Sequence, residues 1–128
     1  MKFSAATAGA ILALLASSSF ATESESPPHA EQEIEALLSW VGDSGCLFIR
    51  NDSEHSAEEA EQHLRAKYKR GHKYAATPEL FIERLASGSS WSAEPYRVQC
   101  SGADGTAIES LSSEWLHSGL RKIRNKNS

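Results

Sequence analysis

Three side chains at four-residue intervals, His55, Glu59 and His63, form the sharpest chemical pattern in the sequence. On a continuous helix, residues four apart share a face. Neutral imidazole and carboxylate both ligate zinc, so the three are a candidate metal site that could assist hydrolysis. The arrangement is not the H-E-x-x-H motif of known zinc hydrolases. Ser56 and Glu59 also form an S-x-x-E capping box, which places His55 just outside the helix and gives Glu59 a structural task instead.

A second pattern is the basic run from Arg65 to Tyr74, with Arg65, Lys67, Lys69, Arg70 and Lys73 interleaved with Tyr68 and Tyr74. Such a run can hold an anionic envelope component, such as lipopolysaccharide phosphate, or a nucleic-acid backbone through its local positive field. Its plainer use is to complement the dipole at a helix carboxyl end. A third pattern is the loop Ser87-Gly88-Ser89-Ser90-Trp91-Ser92. Ser89, Ser90 and Trp91 are candidate ligand contacts, by hydrogen bonding and stacking. The simpler expectation is a polar turn with Trp91 anchored on the core. No G-x-S-x-G elbow supports a serine nucleophile. Glu54 and Glu94 are possible general acids, but nothing in the sequence shows which carboxylates converge, and the catalytic residues stay unknown.

The chain has two cysteines, Cys46 and Cys100. They lack the C-x-x-C spacing that tunes redox thiols. In an exported protein they read as a disulfide, worth roughly 4 kcal/mol by loop entropy.

Export is indicated by residues 1–21. Met1-Lys2 precedes an apolar run from Ala5 to Ala16, and Ser19-Phe20-Ala21 supplies small residues before a cleavage point. That is the layout of a cleavable signal peptide. The run is too short to span a bilayer, which takes ~20 residues. The expected location is the periplasm, with the extracellular medium as the alternative. The chain of 128 residues carries a net charge of −4, and such acidity argues against nucleic acid or anionic lipid attracting the whole surface.

The remainder reads as a flexible leader over 22–30, one domain over 31–124 and a tail over 125–128. Ile34, Leu37, Leu38 and Val41 recur at helical spacing. Ser56 opens a second helix with Ala57, Ala60, Leu64 and Tyr68 as its apolar stripe. Thr77-Pro78 opens a third. Leu116, Leu120 and Ile123 mark a fourth, over about Ser113 to Arg124. Cys46–Arg50 and Tyr96–Cys100 read as strands. If they pair antiparallel with Cys46 opposite Cys100, Phe48 faces Val98 and Arg50 faces Tyr96. Directly opposed residues lie ~4.5–5.5 Å apart, within reach of a disulfide. Parallel pairing separates the cysteines by ~13 Å. The expected fold is therefore α+β: about four helices packed on a short two-stranded antiparallel ribbon, with one disulfide.

Two blocks carry a family resemblance. One is Phe48-Ile49-Arg50-Asn51 followed by Glu54-His55, Glu59-Ala60 and His63-Leu64-Arg65-Ala66-Lys67. The other is Phe81-Ile82, then Ala86-Ser87-Gly88-Ser89-Ser90-Trp91-Ser92 and Pro95-Tyr96. Together they resemble the YfeK-like family of short exported proteobacterial proteins with a domain of unknown function, over roughly residues 31–124. The pattern departs at Asp52 and Ala93, where the family carries glycine. Asp tolerates a left-handed turn and Ala resists it, so a differently shaped loop is expected before Pro95. The resemblance implies no activity, ligand or catalytic residue.

The functional expectation is a non-enzymatic binding or interaction module of the cell envelope, taking an envelope protein or an anionic envelope component as partner. The alternative is a small envelope hydrolase, metal-assisted through His55, Glu59 and His63. A structural or stress-related envelope protein without a small ligand is a third reading. No cofactor motif is present, and no cofactor is expected.

Overall fold

The computed structural model describes Gly9 and residues 29–127. The expected signal peptide, apart from Gly9, and most of the expected leader lie outside the described residues. The elements are α1 (Ala30–Asp43), β1 (Leu47–Arg50), β2 (Ser53–His55), α2 (Ala57–Gly71), a 3₁₀ turn (His72–Tyr74), α3 (Pro78–Phe81) running into a π-helical turn (Ile82–Ala86), β3 (Arg97–Ser101), β4 (Ala107–Leu111) and α4 (Ser112–Asn127). Helix α1 thus begins one residue before the expected boundary, and α4 runs through three of the four expected tail residues.

The sheet corrects the two-stranded expectation. It has four antiparallel strands in the order β2-β1-β3-β4. The central pair is the expected one, with Phe48 opposite Val98 and Leu47 opposite Gln99. Cys46 and Cys100 form a disulfide with a Cα–Cα distance of 4.5 Å. The two additional strands arise from tight reversals. Asn51 and Asp52 both take positive φ, 49° and 65°, and join Arg50 to Ser53 in a two-residue hairpin. That is the geometry whose twist matches flanking strands, and Asn and Asp tolerate it better than other side-chain-bearing residues. The second reversal lies between Ser101 and Ala107, where Gly105 takes φ 86°. Strand β4 escapes a reading by hydrophobic pattern because it sits at the sheet edge, with Ile108 57% exposed.

The helices cover one face of this sheet. Ile34, Leu37, Leu38 and Val41 of α1 are fully buried, with Phe81, Ile82, Val98 and Leu116. The cap residues behave as their chemistry dictates: the Ser56 hydroxyl accepts from Glu59 N at 3.1 Å, and Thr77 Oγ1 accepts from Leu80 N at 3.1 Å. Trp40 of α1 stacks on Trp115 of α4 with ring centroids 4.0 Å apart, and Phe48 meets Trp115 edge-on at 5.3 Å. Gly119 makes this approach possible, since a Cβ there would lie 2.5 Å from the Trp40 ring. At the surface Arg124 joins three helices by bonding Glu33 of α1 and Glu79 of α3. Arg65 of α2 reaches Glu35 of α1 at 2.6 Å and Glu61 at 2.8 Å. Such exposed pairs contribute only ~0–1 kcal/mol each, so buried apolar area holds the helices.

The loop before Pro95 takes the left-handed turn that alanine resists, with Ala93 at φ 62°. Its backbone is held by Ala93 N donating to Ser89 O and Ser89 N donating to Glu94 O, both at 2.9 Å. The surrounding bonds impose a conformation that costs an L-alanine about 1 kcal/mol. Ala93→Gly is therefore expected to raise stability by roughly 0.5–1 kcal/mol in urea denaturation; an unchanged or lower midpoint would show that the turn is unstrained.

Candidate functional site

The π-helical turn, the loop over 87–96, the β1–β2 hairpin and one face of α2 enclose a groove. Three joined hollows make it up. The first is lined by Phe48, Ile49, Ala60 and Leu64, with Arg50, His63 and Tyr96 at its mouth. The second continues past Arg50, His63 and Tyr96 to Lys67, Arg70 and Trp91. The third shares Lys67 and Arg70 and ends at Tyr74 and Arg84.

Helical periodicity explains which basic residues reach this groove. His63, Lys67 and Arg70 stand at i, i+4 and i+7 on α2 and share its groove face. Arg65 projects toward α1, where two carboxylates neutralise it. Lys69 is exposed, and Lys73 lies over the Tyr74 ring at 5.1 Å. The structure therefore splits the basic run: Lys67 and Arg70 line the groove, whereas Arg65, Lys69 and Lys73 do not line the three hollows.

Lys67 is the anomaly of the site. It is only 5% exposed. Its ammonium donates to Gly88 O at 3.0 Å and to Tyr96 Oη at 3.1 Å, and lies 5.0 Å from the Tyr96 ring centroid. Among the described residues no carboxylate stands within ion-pair distance of Lys67, Arg50 or Arg70. A buried cation paired only with neutral acceptors is costly. Burial, then the charges of Arg50 and Arg70, push its pKa down to about 8.

The proton arrangement around Tyr96 follows from the donors. Arg50 Nη1 lies 2.8 Å from His63 Nδ1 and 3.0 Å from Nε2. A guanidinium only donates, so whichever imidazole nitrogen accepts from Arg50 carries the lone pair. His63 Nε2 and Tyr96 Oη share a hydrogen bond of 3.2 Å. The Tyr96 oxygen also accepts from Lys67. Burial first, then the charges of Arg50, Lys67 and Arg70, lower the His63 pKa to about 4. Burial raises that of Tyr96, which stays a neutral phenol.

The metal candidates are arranged differently from three converging ligands. Glu59 Oε2 accepts from His55 Nδ1 at 3.1 Å. His63 instead faces a guanidinium, which repels a metal ion. Among the described residues no group of three His, Cys, Asp or Glu could hold a metal. Of the serine loop, Ser89 is buried and its hydroxyl accepts from Trp91 N and Ser92 N, each at 3.2 Å. Ser92 Oγ donates to Asn51 Oδ1 at 2.7 Å, tying the loop to the hairpin. Trp91 is not anchored on the core as the simpler expectation had it: it is 97% exposed at the groove rim. Ser90 is exposed on the same rim. Glu54 and Glu94 are also exposed and line none of the three hollows.

Sequence reasoning missed Arg50 and Tyr96 as site residues. Their signal lay in the strand register, which pairs Ile49 with Arg97 and leaves Arg50 and Tyr96 as the next residues beyond that pair.

His63 gives the site a stability signature. Its folded pKa of about 4 lies below the unfolded 6.5, so the unfolded state takes up the proton first as pH falls. Its contribution is whole above pH 6.5 and is lost between 6.5 and 4. The native protein is expected to lose about 2 kcal/mol more over that range than His63→Gln in urea denaturation series. Parallel pH profiles would show that His63 stays accessible to protons.

The family described as "Family of unknown function (DUF5329)" matches residues 28–124. A curated relative, "Uncharacterized protein YfeK" of Salmonella typhimurium (strain LT2), is 39% identical over 69 residues, covering 53% of this chain and 58% of the relative. No solved structure matches the chain. On the extent of the family match, and with a YfeK protein as a relative, the chain belongs to the DUF5329 family of unknown function.

Proposed function

We propose that this protein is an exported, non-enzymatic binding module of the cell envelope whose groove takes a phosphate-type anion of an envelope component. The observation that carries the reading is the buried Lys67, flanked by Arg50 and Arg70 with no acidic side chain in that part of the groove. An anion bound there supplies the charge that the fold withholds. Phosphate suits the arrangement, because it accepts from several donors at once. Available donors are the guanidiniums of Arg50 and Arg70 and the third ammonium hydrogen of Lys67. The apolar segment before Ala21 and the disulfide support export, since disulfides persist in oxidising compartments. No helix among the described residues is long and apolar enough to cross a membrane.

The groove reading is tested by titrating the purified protein with inorganic phosphate at low salt, followed by NMR shifts. Saturable binding is expected, weakening as salt rises and as pH climbs through about 8, where Lys67 loses its charge. Lys67→Met is expected to lower affinity at least about ten-fold while raising stability by roughly 1 kcal/mol, because it removes an uncompensated buried charge. Salt-independent binding, or none, would refute the groove reading. Export is tested by intact mass of protein from the periplasmic fraction. The expected mass is that of residues 22–128 less two hydrogens; a full-length, reduced chain would refute export.

A further inference from the structure

The groove has an apolar end that phosphate alone leaves unused. The first hollow has a volume of about 280 Å³; Phe48, Ile49, Ala60 and Leu64 give it a largely apolar wall, which His55 and Ser112 interrupt, and among the described residues His55 Nε2 is buried without a hydrogen-bond partner. It opens directly onto the cationic stretch, since Arg50, His63 and Tyr96 border both. Glu59, the one carboxylate at its edge, is bonded to His55 and largely exposed. Cations at one end and a single, mainly apolar hollow at the other match a molecule with an anionic head and one hydrocarbon tail.

Resting on the anion-binding reading above, we propose that the ligand is a single-chain, phosphate-headed amphiphile. Its head lies among Arg50, Lys67 and Arg70, and its tail enters the hollow between β1 and α2. The hollow is finite, so lengthening the tail gains affinity only until the chain outgrows it. Apolar walls reward tail burial by excluding water. The two wall elements are fixed to each other by the buried contacts of Phe48 and Leu64 in the common core.

The test is a series of inorganic, butyl, hexyl, octyl and decyl phosphate, titrated calorimetrically below micelle-forming concentrations. Affinity is expected to rise about four-fold per buried methylene and to level off once the tail outgrows the hollow. The heat-capacity change should grow more negative along the same series. In Ala60→Leu, whose larger side chain fills the hollow, the gain from butyl to octyl phosphate is expected to fall below about three-fold in total. The series on the native protein decides the matter even where that variant folds poorly. Equal affinity for inorganic and octyl phosphate would overturn the tail site and leave the anion groove standing. Absence of binding by every member would overturn both. A chain-length gain that persists undiminished in folded Ala60→Leu would also overturn the tail site.

Discussion

The pairing of β1 with β3, fastened by Cys46–Cys100, is the constraint on which the rest of the structure depends. Strand side chains alternate between faces, so a slip of one residue would exchange the buried face for the exposed one. In the observed register Phe48 and Val98 enter the core, and Arg50 is carried to the groove beside Tyr96. The covalent link, 54 residues apart in sequence, holds this register at the end of the strands opposite the groove. The sulfur bridge and the cationic site are thus two ends of one ribbon.

Once the ribbon is set, α2 supplies the rest of the site by simple periodicity. Ala57, Ala60 and Leu64 turn inward and fasten the helix to the core. His63, Lys67 and Arg70 then line the groove beside that apolar stripe, close enough for the Lys67 stem to be buried as well. The loop over 87–96 closes over the ammonium, and Gly88 is needed there. A Cβ at that position would stand 2.9 Å from Glu94 O. The carbonyl of the same residue takes a Lys67 hydrogen. The backbone that makes the tight loop is therefore also the acceptor that makes burial of the lysine tolerable.

The cost of this arrangement is concentrated rather than spread. Three cations stand together without an acidic partner, while elsewhere Arg65 and Arg124 are each held between two carboxylates. The chain has 17 acidic side chains against 13 lysines and arginines, so their absence from this stretch is a matter of placement, not supply. Ala93 adds local backbone strain beside the same groove. Strain and uncompensated charge gather where a structure is shaped for something other than its own stability.

Local chemistry determined much of the architecture. The apolar spacing of α1, the serine and threonine caps and the two cysteines specified helices, their starts and the central strand register, because each acts within a few residues or through a covalent bond. The hairpin at Asn51-Asp52 carried its turn chemistry in the sequence, but without glycine that signal was faint. Strand β4 had no apolar alternation to announce it, since it is an edge strand with an exposed face. The site was decided only by tertiary structure. Linear order grouped Arg65 with Lys67, whereas the helix turned one toward carboxylates and the other into the groove. Arg50 and Tyr96, far apart along the chain, became neighbours because they lie just beyond the paired Ile49 and Arg97. Burial of Lys67 depends on a loop more than twenty residues away, and no local pattern encodes a contact made by folding back over that distance.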